Sequence, residues 1–382
     1  MNITIYNAEP LPPSMLGRPE YKYQLPAHFP FLVDDDTQTV IEPVLLYLID
    51  RFIKQGKYKS GNTLKAVAHD LADWWRFLAT TERNWNDIDT DFIIEYREQR
   101  LNTISYQTHE NLKPNTIRRR MGAVFTFYEW AHFRGLFDTK KLDKRETRRI
   151  SKSIDFDPLA HTKLSINKRD VSLLLPEDDS NQTIKVHIFK RSDLPLLLSE
   201  LGPLPSERNQ LNNHPARDRL ASELALQTGL RVDEVAQLTI YQILDLTVPL
   251  DAELHETVTM EVTKTKGLKA RKVFLPVYLV HELRLYIDTE RTEALKAGQK
   301  HGLKGKVKRP NSVFVNGVDA RQHAGKAIHA DTFDRQFRSA VLRAGLIKHV
   351  EKTDPHTGER YITQDARYTF HDCRHSYAIY TY

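Results

Sequence analysis

The sequence contains almost no cysteine. Cys373 is the single cysteine among 382 residues, so no disulfide can form within the chain. We therefore expect a protein of a reducing compartment, the cytoplasm. No apolar run approaches the length needed to cross a membrane, and the first fifteen residues lack the basic start and apolar stretch of a signal peptide.

Several common catalytic motifs are also missing. The sequence has no P-loop, no GxGxxG, no GxSxG and no CxxC pair, which argues against nucleotide hydrolysis, Rossmann cofactor use and common serine hydrolase chemistry. His371 and His375 are four residues apart, but no acidic residue gives the HExxH spacing and the lone cysteine does not complete a zinc site. We expect no metal and no cofactor.

The overall composition is that of a folded, mildly basic protein. Hydrophobic residues make up 40% of the chain, which is enough for real cores, and the length allows two domains with linkers. The net charge is +6 and the isoelectric point is about 9.1. This excess suits a polyanionic partner, but it is also common among ordinary proteins that bind no polyanion.

Hydrophobic periodicity divides the chain into four parts. Residues 1–37 are Pro-rich and are interpreted as an extended arm, and residues 38–137 predict four helices in a small all-α domain. Predicted helix caps are Ser60 or Asn62, Asp89 or Thr90, and Asn115, with Gly135 as a terminator. Residues 138–190 are interpreted as a linker with some local structure.

Residues 191–382 predict an α+β domain. A helix ending at Gly229 is followed by a second helix with Asp233 and Glu234 in its first turn. The period then changes to two in TVTMEVTKTKG and RKVFLPV, which predicts a β-hairpin. The remainder predicts helices in VYLVHELRLYIDTERTEALK, TFDRQFRSAVLRAG and FHDCRHSYAIYTY.

Three short segments of this domain carry residues suited to phosphate chemistry. Arg231 follows the Gly229 break at a helix start, where it can face a phosphate, although a surface arginine after a cap is equally compatible. Basic residues crowd the hairpin tip, where they can enter a DNA groove, donate a proton or simply be solvated: Lys264, Lys266, Lys269 and Arg271. His371 and Arg374 are three apart on a predicted helix and share a side of it.

Two helix starts in the first domain carry hydroxyl, amide and basic groups. Helix N-termini of this kind suit phosphate contacts, although a solvated helix face is the alternative. The residues are Ser60, Asn62, Thr63, Lys65, Asn115, Thr116, Arg118, Arg119 and Arg120.

Together these segments resemble the tyrosine recombinase (phage integrase) family, from about Val40 to the last residue. Residues 228–238 resemble the family's first-arginine box with Arg231, and HDCRH resembles H-x-L-R-H with Cys373 in place of leucine. TKGLKAR is similar to the G-K-G-x-K-x-R hairpin, with Lys266 in the catalytic lysine's place and Thr265 in place of the first glycine. The helical first domain resembles the family's core-binding (SAM-like) domain.

The resemblance implies a mainly α fold with a small β-sheet and a mechanism that joins DNA to a tyrosine. Arg231 and Arg374 would neutralise charge on the phosphate, Lys266 would protonate the leaving 5′-oxygen, and His371 would assist at the phosphoryl group. Glu234 would orient the site. The implied partners are double-stranded DNA and identical subunits, as a tetramer on paired sites, and the implied location is nucleoid-associated.

The sequence departs from the family pattern at the nucleophile. In the family the chain continues past H-x-x-R-H to a second His or Trp and then the tyrosine, whereas this chain stops at Tyr382. Tyr377, Tyr380 and Tyr382 share the predicted helix of Arg374 and are badly placed for in-line attack. We therefore expect a C-terminally incomplete catalytic domain in which the nucleophile is missing.

Two alternatives remain open at this stage. The chain could be a catalytically inactive DNA-binding remnant or regulator from a mobile element. It could also be a type IB topoisomerase, which shares this chemistry, although the integrase-like first domain and the form of the hairpin segment disfavour that class.

Overall fold

The computed structural model describes residues 2–9, 25–56, 61–138, 147–149, 170–172, 175–176, 187–209, 214–263, 270–300 and 310–380. The chain divides into two compact units. The first is Met1–Thr183 with Lys352–Arg360, and the second is Ile184–Glu351 with Tyr361–Tyr382. No described helix is long and apolar enough to span a membrane.

The first unit begins with a small antiparallel sheet. Its strands are β1 (Ile3–Asn7), β2 (Pro30–Asp34) and β3 (Thr39–Val40), with Ile3 opposite Asp34 and Val33 opposite Val40. The prediction of an extended arm over residues 1–37 is therefore wrong for the described part. Ile3, Phe29 and Leu32 are buried, and they join the helical core because the sheet gives them one common face.

The four predicted helices of this unit are present. They are α1 (Glu42–Leu48), which continues as a π-helix over Ile49–Lys54, α2 (Gly61–Thr80), α3 (Thr90–Leu101) and α4 (Pro114–Phe133). Asp89 caps α3 by accepting a hydrogen bond from the Phe92 amide at 2.9 Å, which confirms that prediction. The prediction of Asn115 as a cap is wrong, because Lys113 takes that position and Pro114 begins the helix without needing an amide partner.

Aromatic side chains form the centre of the helical core. Trp74 of α2 is fully buried and meets Tyr96 of α3 and Tyr128 of α4 edge-on, with ring centroids 5.0 and 6.1 Å away. Its indole N–H donates to the Tyr128 hydroxyl at 3.2 Å. Contacts from α2 to α4 advance in the same direction along both helices, from Asp70–Arg119 to Trp74–Tyr128, so the two helices are parallel.

Asp50, in the π-helix, connects that segment to the end of α4. Its carboxylate accepts from the Trp130 indole at 3.0 Å and from the Arg134 guanidinium, and it pairs with Lys54 at 2.8 Å. Burial alone would raise the pKa of Asp50, but the hydrogen bonds from Lys54, Trp130 and Arg134 hold it below its usual value. The folded unit therefore keeps this carboxylate ionised.

Part of the predicted linker over residues 138–190 forms two short strands. β4 (Thr147–Arg149) and β5 (Asp170–Ser172) pair antiparallel, with Arg148 opposite Val171. The boundary between the two compact units, at Thr183, falls within the same segment.

The second unit is mainly helical with short strand pairs, so the predicted mixture of α with a little β is confirmed. Its elements are α5 (Asp193–Glu200), α6 (Arg217–Thr228), α7 (Val232–Ala236), α8 (Ile240–Leu244), β6 (Thr257–Val262), β7 (Arg271–Pro276), α9 (Val277–Asp288), α10 (Glu290–Lys300), α11 (Ala330–Arg343), β8 (Ile347–Thr353), β9 (Arg360–Ala366) and α12 (Phe370–Tyr380). β6 pairs with β7, and β8 pairs with β9.

Helix α6 lies at the centre of the second core. Leu220, Ala221, Leu224 and Ala225, the apolar face predicted from the sequence, are all fully buried. α9, α11 and α12 pack against this helix. The sequence predicts one helix over VYLVHELRLYIDTERTEALK, but the helix is broken at Thr289 (φ −102°, ψ −93°). The buried Glu290 follows the break, and its carboxylate accepts the Ala216 amide at 2.8 Å.

We predict that Asp50→Ala lowers the free energy of unfolding of the helical unit by about 1–3 kcal/mol, because the Trp130 indole loses its acceptor. Lys54→Ala is the control, since the exposed Lys54 partner contributes less than about 1 kcal/mol. Urea titration followed by tryptophan fluorescence reads this unit alone, because Trp74, Trp75, Trp85 and Trp130 all lie in it. Equal effects of the two variants would contradict the assignment.

Candidate active site

A left-handed glycine turn places Arg231. Helix α6 ends at Thr228, Gly229 takes φ +64°, and Leu230 is buried beneath the turn. Arg231 then becomes the extended N-cap of α7, and its amide donates to Glu234 Oε2 at 2.9 Å. The turn therefore fixes the direction in which Arg231 leaves the backbone.

Glu234 connects Arg231 to the β-hairpin. This carboxylate is only 3% exposed. Arg231 Nη1 lies 3.1 Å from its Oε1, and Arg271 Nη2 lies 2.6 Å from its Oε2. One buried negative charge thus holds two guanidinium groups from different elements.

The hairpin register explains the position of Arg271. β6 and β7 pair from Thr257 opposite Pro276 to Val262 opposite Arg271, so Arg271 stands at the last pair before the connection. Met260 and Val262 face the core, as the alternation predicts. Lys264, Lys266 and Lys269, the hairpin-tip candidates, lie outside the described residues.

Helix α12 brings His371 and Arg374 to the same turn. Asp372, in the first turn of this helix, stabilises its start by accepting the Thr369 amide at 2.7 Å. The Arg374 guanidinium donates to the carbonyl oxygen of Gly229, so α12 holds the residue two positions before Arg231. α12 packs directly on α6, which supplies this turn.

Like charges surround Arg374. Burial and then the charges of Arg231 and Arg271 lower the pKa of the Arg374 guanidinium, and Glu234 opposes this. Among the described residues, no carboxylate forms an ion pair with Arg374. Three guanidinium groups with one carboxylate leave an excess of positive charge, which suits an oxyanion such as a phosphodiester.

His371 lies exposed next to this group. Its ring meets His375 edge-on, with centroids 4.5 Å apart. Burial, His375 and Arg374 lower the pKa of His371, in that order of importance. The imidazole is therefore neutral near pH 7 and can accept or donate a proton at the edge of the arginine cluster. The sequence suggests His375 only as a metal ligand with His371, and it does not predict the effect of His375 on the pKa of His371.

Two tyrosines of α12 make defined contacts in the folded domain. The ring of Tyr377 lies over Gly229, where a Cβ would stand 2.5 Å from Tyr377 Cδ1. The Tyr380 hydroxyl donates to the carbonyl oxygen of Phe189. Tyr382, the third candidate, lies outside the described residues.

The candidate DNA contacts of the helical unit lie at one end of it, because α2 and α4 are parallel. Asn62, Thr63, Lys65 and Asn115 are exposed and Thr116 is half-buried, while Ser60 is outside the described residues. The basic residues of α4 contact other parts of the unit: Arg118 donates to the Pro176 carbonyl at 2.6 Å, Arg119 pairs with Asp70 at 2.5 Å and Arg120 pairs with Asp73 at 3.0 Å. Burial raises the pKa of Asp70 to about 6 even with Arg119 beside it.

Comparison with known proteins gives a family match that covers most of the second unit. The phage integrase family model matches residues 204–380. Residues 204–380 are a domain of the phage integrase family. The family is that of the tyrosine recombinases, an enzyme class. The integrase domain contains Arg231, Glu234, Arg271, His371 and Arg374.

Solved recombinase structures are similar to most of the chain at low identity. A complex of XerH site-specific recombinase with palindromic difH substrate is 15% identical, covering 87% of this chain and 72% of that chain, with a TM-score of 0.49. A lambda integrase (75–356) dimer bound to a COC′ core site is 14% identical, covering 88% of each chain, with a TM-score of 0.47. A search of curated proteins finds no match.

We predict that Gly229→Ala destabilises the integrase domain more than Gly345→Ala. Both glycines have positive φ, +64° and +71°, so both substitutions carry a backbone cost of about 1 kcal/mol. Only at Gly229 would the new methyl group overlap the Tyr377 ring, which adds about 1–3 kcal/mol. Thermal unfolding followed by circular dichroism measures the difference. In a Tyr377→Ala background the overlap is absent, so there Gly229→Ala should lower the stability only by the backbone cost. Equal losses at the two glycines would contradict the packing.

We also predict that His371 titrates below its usual pKa of about 6.5. Because protonation is less favourable in the folded state, the stability that neutral His371 contributes is present above about pH 6.5 and is lost as the pH falls through the folded pKa. Histidine ring signals in an NMR pH titration measure this pKa. His375→Ala should raise it more than Arg231→Ala, and a pKa at or above the usual value would show that the surroundings of His371 are wrong.

Proposed function

We propose that this protein is a site-specific DNA recombinase or integrase whose arginine cluster binds the phosphodiester to be cut and rejoined. One observation carries the proposal. Arg231 and Arg374 are both held at the Gly229 turn, one through Glu234 and the other through the Gly229 carbonyl. The membership of residues 204–380 in the phage integrase family supports the same reading.

The site chemistry follows from these positions. During attack, negative charge builds on the non-bridging oxygens, and Arg231 and Arg374 neutralise it. Glu234 keeps Arg231 and Arg271 in place before DNA arrives, so little reorganisation is needed. Neutral His371 accepts the proton that the attacking hydroxyl releases, and Lys266 protonates the leaving 5′-oxygen.

The attacking group in this chemistry is a tyrosine hydroxyl, which forms a 3′-phosphotyrosine. We propose that neither Tyr377 nor Tyr380 is that nucleophile. The Tyr380 hydroxyl is bonded to the Phe189 carbonyl, and the Tyr377 ring is packed on Gly229 and shares a rigid helix with Arg374, which is a poor position for in-line attack. Residues 1–382 by themselves should therefore bind DNA without forming the covalent intermediate.

The helical unit would serve as the second half of the DNA contact. Its parallel helices α2 and α4 present Asn62, Thr63, Lys65 and Asn115 at one end, where amide groups of both helix N-termini favour phosphate. Arg119 is exposed near the same end, and burial followed by the charges of Arg76, Arg119 and Lys65 lowers the pKa of His69. We further propose that identical subunits assemble on paired sites.

We predict salt-sensitive DNA binding that depends on the arginine cluster. The logarithm of the affinity for a duplex should fall linearly with the logarithm of the salt concentration, and Arg231→Ala or Arg374→Ala should each reduce the slope by about one. Arg343→Ala is the control, because this half-exposed arginine pairs with Glu200 away from the cluster. Fluorescence anisotropy measures both quantities, and a salt-independent affinity would overturn the proposal.

Covalent chemistry is tested separately. A nicked suicide duplex carrying a site selected by binding from a random library should yield no protein–DNA adduct with residues 1–382. If an adduct forms, Tyr377→Phe and Tyr380→Phe identify which hydroxyl attacked, and the assignment of these tyrosines fails. Binding without an adduct also agrees with a DNA-binding regulator. Strand exchange after the addition of a chain that carries the nucleophilic tyrosine would identify a recombinase, and no exchange would identify the regulator.

A further inference from the structure

The segment Phe189–Asp193, which precedes and begins α5, is bonded to the helix that carries Arg374. Both backbone polar groups of Phe189 are satisfied by side chains of α12. Its amide donates to Ser376 Oγ at 3.0 Å, and its carbonyl accepts from the Tyr380 hydroxyl. Phe189 and Ser376 are buried, so the bond between them is shielded from water, whereas the Tyr380 bond is only partly covered. The segment is therefore fastened to two successive turns of α12.

A second anchor lies just before α12. The Tyr368 hydroxyl accepts the Lys190 amide at 3.2 Å and donates to Asp193 Oδ2 at 2.8 Å. Although burial would raise it, hydrogen bonds from Tyr368, Ser192 and Arg367 hold the pKa of Asp193 below its usual value. The rings of Phe189 and Tyr368 also pack with centroids 4.6 Å apart. Successive residues of the segment thus contact both ends of the α12 region.

These contacts fix the rotation of α12 about its axis and its position along that axis. Ser376 and Tyr380 are one helical turn apart and lie on a different side from His371 and Arg374. A helix held at two points one turn apart can neither rotate nor slide without breaking a buried bond. Because Arg374 is on the same helix, the segment also fixes where its guanidinium lies relative to Arg231.

We propose that Ser376 and Tyr380 are positioning residues, which hold α12 on the Phe189–Asp193 segment and thereby set the distance between Arg374 and Arg231. This inference rests on the proposed phosphate-binding role of the cluster, and it adds how the two arginines are held in position. It assigns Tyr380 a role in the site as a hydrogen-bond donor to the backbone. It also makes a segment that precedes the integrase domain part of the active-site framework.

Two variants and a matched control test the proposal. Tyr380→Phe removes only the hydroxyl of a half-exposed side chain, and Ser376→Ala removes the acceptor of the Phe189 amide. Ile379→Ala changes an exposed residue between them on the same helix. All three are made in the full chain, and circular dichroism confirms that each folds.

The decisive readout needs no ligand. The pKa of His371 is lowered by burial and by the charges of His375, Arg374 and Arg231. His375 and Arg374 move with His371 on α12, so a displaced helix changes the burial of the ring and its distance from Arg231. We expect the NMR-titrated pKa of His371 to rise toward its usual value in Tyr380→Phe and Ser376→Ala and to stay unchanged in Ile379→Ala. An unchanged His371 in both test variants would overturn the proposal, whatever their thermal stability.

A second readout separates this proposal from the function on which it rests. Titration with inorganic phosphate, followed through the arginine side-chain N–H signals, should show binding about twofold to tenfold weaker in both test variants than in the parent chain. If the parent chain shows no phosphate response at all, the proposed function fails. The His371 comparison then still decides whether Ser376 and Tyr380 position the helix.

Discussion

The arrangement of the candidate active site depends on the hydrogen bond from Arg374 to the carbonyl oxygen of Gly229. This bond joins α12 to the turn between α6 and α7, and the Tyr377 ring covers the same glycine. Since Arg231 follows two residues later, the turn and the helix cannot move independently. The positions of Arg231 and Arg374 therefore both depend on the Gly229 turn, even though 142 residues separate them in the sequence.

The carboxylate of Glu234 partly offsets the repulsion between the arginines of this site. Arg231, Arg271 and Arg374 repel one another, and Glu234 binds the first two from a buried position. Without an anion the cluster keeps an excess of positive charge in a half-buried setting, which costs free energy. A phosphodiester would remove that cost on binding, so the same repulsion that weakens the empty site favours the occupied one.

Much of this organisation could be predicted from the sequence, and the failures have physical reasons. The Gly229 terminator, the alternation around Met260 and the helical spacing of His371 and Arg374 are local patterns, and each is confirmed as structure. The buried Ile3 and Phe29 were missed because a strand gains its hydrophobic face only from a partner that is distant in the chain. Ser376 and Tyr380 were missed for a similar reason. Nothing near them in the sequence reveals that Phe189, far upstream, needs a donor and an acceptor. The catalytic roles assigned to Arg231, Lys266, His371 and Arg374 stay predictions.

The pairing of β6 with β7 also limits how this domain can change in length. Arg271 reaches Glu234 only because it stands opposite Val262 at the last pair of the ladder. A single residue inserted within β7 would reverse the two faces of the strand, expose Val273 and turn Arg271 away from the carboxylate. Residues added between Val262 and Arg271 would leave the ladder intact. Related sequences should therefore vary in length between these two strands, while the strands themselves tolerate neither insertions nor deletions.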